Sequence, residues 1–305
     1  MKLATFRDEA GTRIGVLRDG RLVDIRRAAH FAGEEPAAEL TDMLALIHAG
    51  PQALRRVDAL AGTAPADTEV PLEQVELLAP IARPQKNVFC LGRNYAEHAA
   101  ESLRAIGQEV KLPSYPNVFT KAPTSITGPF SDIPYDPAVS DQMDWEVELA
   151  VVVGASGRHI SKEQAYSHVF GYTILNDVSA RDLQNLGGIQ WFQGKSVDAA
   201  SPMGPWIVTA DEIPDPHKLR ISLRVNGETK QDDSTGNMLF DIPTIIATLT
   251  RVLTLESGDI IATGTPAGVG FARNPAEFLR PGDVMESEVE AIGTMRNSVV
   301  AVEPR

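Results

Sequence analysis

The chain has 305 residues with 41 acidic side chains against 28 Lys and Arg, a formal charge of −13. No basic cluster with interleaved aromatics offsets that excess, so a phosphate backbone would be repelled and a nucleic-acid partner is argued against. The 43% hydrophobic and 23% charged content is that of a globular protein long enough for one large and one small domain.

Short strands are predicted over 2–6, 13–17 and 21–25, with turns at Gly11 and Asp19-Gly20. Helical apolar spacing follows over 40–48 and 52–60, interrupted by Gly50-Pro51. Residues 61–68 have the composition of a linker. We therefore expect a small N-terminal domain over 1–72, structural or assembling in role, with the chemistry in 73–305. The lone cysteine, Cys90, lies in an apolar stretch and can form no internal disulfide. With no leader-like start and no run long enough to span a bilayer, a cytoplasmic protein without membrane attachment is expected.

The second unit opens with a strand over 87–91 and the turn Gly92-Arg93-Asn94-Tyr95. A predicted helix then carries His98 and Glu101 three positions apart. That spacing makes them neighbours, and a carboxylate beside an imidazole orients it and raises its basicity as a general base requires. Solvated surface pairs share the same spacing. Residues 104–116 are polar, with Gly107 and two prolines, and read as a mobile lid; the strand after them ends in Lys121.

The acidic strand Asp144-Trp145-Glu146-Val147-Glu148 runs on into an apolar stretch ending at Val153. Alternation puts Glu146 and Glu148 on one face. At about 4 Å and an effective dielectric of about 20 the two charges repel by roughly 4 kcal/mol, so a proton, a Lys or Arg, or a hard divalent cation must offset them. A second buried strand, 169–176, ends at Asp177, which supplies a third acid or caps the helical turn beginning at Ser179. Three carboxylates suit Mg²⁺ or Mn²⁺ better than zinc. The run 187–196 has superficial likeness to a phosphate-binding loop, but Ile189 stands where the first glycine should be. Lys195 is read instead as a cation aimed at an acidic substrate. A strand over 221–225, an Asn226-Gly227 hairpin turn, a helix over 243–252 and the glycine-rich 264–270 complete the chain. Those glycines allow close backbone approach to a ligand. Cys90, His159 and His168 have no activating or ligating partner in sequence, and Ser156 sits in no nucleophile elbow.

Taken in order, several blocks together resemble the fumarylacetoacetate hydrolase family from about Asn87 to Val299. They are Gly92-Arg-Asn-Tyr95, His98-x-x-Glu101, Asp144-x-Glu146-x-Glu148-Leu, Gly171 to Asp182, Gly194-Lys-Ser-x-Asp198, Gly264-Thr-Pro-x-Gly-Val-Gly270 and Gly282-Asp283. The resemblance implies a mainly β (α+β) fold, a rolled mixed β-sandwich with a small N-terminal α/β domain, assembled as a homodimer. It implies Glu146, Glu148 and Asp177 as ligands of Mg²⁺ or Mn²⁺, and small 2-oxo acids as substrates. It further implies water activation by His98 and Glu101 on the lid and Lys195 beside the reacting oxygens. Arg181, Gln184 and Thr265 would surround the substrate's acid groups. The activity expected is hydrolysis of a C–C bond in a 2,4-dioxo acid of the acylpyruvate type. The alternatives are isomerisation of an unsaturated 2-oxo dioic acid of the 2-hydroxyhepta-2,4-diene-1,7-dioate type, decarboxylation of oxaloacetate, and a non-catalytic metal- or ligand-binding protein.

Overall fold

The computed structural model describes residues 1–35, 37–186 and 190–302. Lys2–Asp8, Gly11–Arg18 and Arg21–Asp24 form an antiparallel meander. Its second turn takes Asp19 and Gly20 at positive φ (47° and 79°), the twist a two-residue hairpin loop requires. Arg13 is buried between Asp8 and Asp24, with its Nε 2.8 Å from Asp24 Oδ2 and its Nη1 2.7 Å from Asp8 Oδ1. The third strand stops at Asp24 rather than at Ile25, because the Asp24 carboxylate accepts the Arg27 N–H and caps the helix Ile25–Phe31. The next helix, Met43–Thr63, is broken where the sequence predicts: Gly50 leaves helical geometry (φ 75°, ψ −161°) and Pro51 restarts it.

The fold is mixed α+β and dominated by strands, as expected. One long sheet runs in the order Glu69–Pro71, Arg21–Asp24, Gly11–Arg18, Lys2–Asp8, Ser201–Thr209, Val169–Asn176, Val147–Val153, Ile260–Ala262, Val88–Gly92, Asn117–Lys121. The N-terminal meander thus joins the main sheet, through Lys2 opposite Val208 and Leu3 opposite Ile207. A second sheet runs Glu228–Ser234, Arg220–Val225, Val284–Val289, Gly293–Ala301, Ile133–Tyr135. Its hairpin turns on Asn226 and Gly227, both at positive φ (53° and 80°).

Alternation along Val147–Val153 explains its unbroken apolar run. Val147, Leu149 and Val151 face a core with Ile221, Leu223 and Met285 of the second sheet. Ala150 and Val152 face another with Ile47 and Val57 of the Met43–Thr63 helix. A strand covered on both faces has no polar side, so its polar residues gather at its end. Cys90 is buried in the second of these cores, as a small hydrophobe. Among the described residues no helix is long and apolar enough to cross a membrane.

Candidate active site

Antiparallel pairing of Val147 with Asn176 and Glu148 with Leu175 brings the acidic end of one central strand beside the last residue of its neighbour. The Asp177 N–H donates to the Glu146 carbonyl at 2.8 Å, and Asn176 Oδ1 accepts the Glu146 N–H at 3.0 Å. Asn176 is itself held by its Nδ2, which donates to Ser287 Oγ at 3.1 Å. Regular pairing breaks before Val147: Met143–Asp144 turns away and pairs with Ser179–Ala180. The carboxylates of Glu146, Glu148 and Asp177 consequently meet, each offering an oxygen within 4.8 Å of the others, and all three residues are buried.

Cations of the chain itself compensate part of this charge. Lys195 Nζ lies 2.8 Å from both Glu146 Oε2 and Asp177 Oδ2. Lys121 Nζ lies 2.5 Å from Asp177 Oδ1. Arg181 reaches Glu146 Oε1 through Nη2 at 2.6 Å and Asp144 Oδ2 through Nε at 2.8 Å. Among the described residues, four acids therefore face three cations. Burial pushes the Glu146 carboxyl up, but Lys195 and Arg181 outweigh it and hold the group down at about 2. Glu148 is the acid left over: it accepts the Gly264 N–H at 2.8 Å and, among the described residues, has no cation at ion-pair distance. Burial, then the charges of Asp177 and Glu146, raise it well above the usual carboxylate range. Hard oxygen donors with uncompensated negative charge fit Mg²⁺ or Mn²⁺.

On the facing side, the helix Ala96–Ala105 presents His98, whose Nδ1 is 3.0 Å from Glu101 Oε1. The glycine-rich loop fixes this pair, since Gly268 N–H lies 3.0 Å from both Glu101 oxygens. Sequence reasoning offers those backbone N–H groups to a ligand, whereas several are taken by the protein's own acids. Gly264 serves Glu148, Gly268 serves Glu101, and Gly270 serves Asp144 at 2.7 Å. Only glycine fits at 268, where φ is 107° and a Cβ would lie 2.0 Å from the Lys230 carbonyl oxygen. Of residues 104–116, read as a lid, Arg104 and Ala105 instead end the helix Ala96–Ala105, while 106–116 carry no helix or strand and expose Ile106, Val110, Leu112 and Tyr115.

Residues 87–300 match the family model described as fumarylacetoacetate (FAA) hydrolase C-terminal. The chain belongs to this family. It is 49% identical over 228 residues to oxaloacetate tautomerase YisK of Bacillus subtilis (strain 168), covering 75% of this chain and 74% of that protein. The fumarylacetoacetate hydrolase of psychrophilic Exiguobacterium antarcticum superposes with a TM-score of 0.82 at 40% identity, over 99% of this chain and 100% of that one. Maleylpyruvate hydrolase from Sphingobium sp. SYK-6, solved with manganese(II) and pyruvate, gives a TM-score of 0.77 at 30% identity, over 99% and 100% of the two chains.

Within this family frame, six of the nine site residues expected from sequence line one cavity of about 70 Å³: His98, Glu146, Arg181, Gln184, Lys195 and Thr265. Glu148 and Asp177 lie with Glu146 in the acid cluster, and Glu101 bonds His98. The Thr265 hydroxyl donates to the Val147 carbonyl at 2.8 Å and accepts from Gln231 at 2.7 Å. Gln184 Oε1 accepts from Arg181 at 3.1 Å. The helix-cap alternative for Asp177 is corrected: both its oxygens are taken by lysines, and the helix Arg181–Leu186 starts only after the Ser179–Ala180 strand. Of the rejected phosphate loop, 187–189 lie outside the described residues, and Phe192–Lys195 is a short helix. Sequence reasoning assigned no role to Lys121, Asp144, Arg93 or Trp191. A strand ending in lysine was the visible signal for Lys121, but its link to Asp177 depends on strand pairing that no local pattern encodes.

Proposed function

We propose that the chain is a divalent-metal-dependent tautomerase of a small 2-oxo dicarboxylic acid of the oxaloacetate type, moving a proton between C3 and the 2-oxygen. The observation that carries this reading is the cavity with an acid cluster on one side and an imidazole pinned through Nδ1 on the other. Similarity to an oxaloacetate tautomerase over three quarters of the chain supports it. In the proposed step Glu101 accepts the His98 Nδ1–H, and the Nε2 lone pair takes a proton from C3. As that C–H bond breaks, C2=C3 forms and the 2-oxygen gains a proton, for which Lys195 is the donor. Lys195 lines the cavity, its Nζ held 2.8 Å from Glu146 and Asp177. Two of its three hydrogens serve those acids, and the third is left for substrate. Held by Glu146, Glu148 and Asp177, Mg²⁺ or Mn²⁺ would polarise the 2-oxygen and disperse the charge developing there.

A second reading, hydrolysis of an acylpyruvate with His98 and Glu101 activating water, is favoured by the same pair and by the likeness to maleylpyruvate hydrolase. Isomerisation or decarboxylation of related oxo acids would use the same charge-stabilising site. We further propose a homodimer acting in the cytoplasm. The test is to dissolve the enol form of oxaloacetate with metal-loaded and metal-stripped protein and follow the decay of enol absorbance. Acceleration that disappears on stripping and returns with Mg²⁺ or Mn²⁺ supports tautomerisation; no acceleration in either sample removes it.

A further inference from the structure

We propose that Arg93, laid against Trp191 in the cavity wall, receives the distal carboxylate of the substrate and so selects dicarboxylic over monocarboxylic 2-oxo acids. This deepens the tautomerase reading and rests on it. Among the described residues three cations line the cavity, Arg93, Arg181 and Lys195. Arg181 is paired with Asp144 and Glu146, and Lys195 with Glu146 and Asp177. Arg93 has no carboxylate at ion-pair distance among the described residues. Its guanidinium lies 5.8 Å from the centroid of the Trp191 ring.

The placement of Arg93 is built. The residue takes φ 56°, a left-handed conformation uncommon outside glycine. Its neighbours hold it there. Asn94 donates to the Thr263 and Phe240 carbonyls at 2.8 and 3.0 Å and accepts the Phe240 N–H at 2.9 Å. At Gly92 a Cβ would lie 2.4 Å from the Trp191 ring, so the indole packs directly on that backbone. Trp191 meets Phe119 edge-on at 5.3 Å, and Lys195 Nζ lies 5.1 Å from the Phe119 centroid. A continuous wall thus joins the cation at the acid cluster to a second cation beyond it. A 2-oxo dicarboxylate has matching polarity, one end for the acid-cluster side and a second carboxylate for a guanidinium fork. Burial lowers the Arg93 pKa, a desolvation cost that an incoming carboxylate would relieve.

The test uses malate and lactate, unreactive 2-hydroxy acids that differ in the distal carboxylate, titrated calorimetrically into the Mg²⁺-loaded full chain. Wild type is expected to bind malate about 10- to 100-fold more tightly than lactate, the scale of a charge-assisted hydrogen bond. Arg93→Gln should remove that preference with lactate affinity unchanged, and Arg93→Lys should keep part of it. Arg93→Asn, which tolerates positive φ, separates loss of the guanidinium from backbone disturbance and should behave as Arg93→Gln. Equal binding of the two acids by wild type, or a malate preference that survives in Arg93→Gln and Arg93→Asn, overturns the assignment. The two readings fail separately. Malate preference lost in the variants while wild type leaves oxaloacetate enol unchanged supports the carboxylate subsite and rejects the tautomerase.

Discussion

Glu148 has the strongest uncompensated demand in the site, because its charge is buried beside Asp177 and Glu146 with a backbone N–H as its partner. Replacing it with Gln removes one ligand and one repelling charge together. Calorimetry on Glu148→Gln should show Mg²⁺ and Mn²⁺ affinity reduced by more than about 100-fold, beyond what losing an outer contact costs. Thermal unfolding of the metal-free variant should show a midpoint above that of metal-free wild type; unchanged metal affinity would contradict the assignment. For His98→Ala, turnover should fall by about 10² to 10⁴ with metal still bound, the range for losing a general base, and Glu101→Gln should cost less. Glu146, Glu148 and Asp177 were legible because alternation and a strand end are local patterns. The partners that set their charge states were not: Lys121, Arg181 and Lys195 reach them across strand pairings and a helix turn, at 56, 35 and 18 residues' separation.

At the scale of elements, the Gly264–Gly270 loop joins the helix bearing His98 to the acidic strand, through Glu101, Glu148 and Asp144. Gly268→Ala, at φ 107° and 2.0 Å from the Lys230 carbonyl oxygen, should destabilise the protein by about 1 to 3 kcal/mol and lower turnover by loosening Glu101. Denaturant unfolding alongside kinetics checks both effects. The N-terminal meander has its own electrostatic anchor. Hydrogen bonding to Arg13 outweighs burial and holds the Asp8 carboxyl down at about 2. A depressed carboxyl pKa stabilises the fold above the unfolded value of about 3.9 and loses that effect as pH falls through the folded one. Asp8→Asn should therefore unfold at lower temperature than wild type at pH 7, with the difference closing between about pH 4 and pH 2. The Gly50-Pro51 break and the Asn226-Gly227 turn were readable because such signals act within a few residues. The pairing of Lys2–Asp8 with Ser201–Thr209 spans some two hundred residues and is fixed by packing that only the folded chain brings together.

For the whole molecule, the proposed homodimer predicts a light-scattering mass of twice the 32.9 kDa chain at micromolar concentration, and a monomer mass would contradict it. The central claim is that this family member uses its acid cluster and His98 to move a proton at C3 of a 2-oxo dicarboxylic acid. Its most direct test places the Mg²⁺-loaded protein in heavy-isotope water, labelled in both hydrogen and oxygen, with oxaloacetate in one sample and an acylpyruvate in another. Magnetic resonance follows deuterium entering C3, and mass spectrometry follows labelled oxygen entering a released carboxylic acid. The account predicts catalysed C3 exchange in oxaloacetate that His98→Ala reduces by about 10² or more, without labelled acid from the acylpyruvate. Labelled acid released at ordinary turnover rates, with C3 of oxaloacetate exchanging no faster than in buffer, would contradict it and leave hydrolysis in its place.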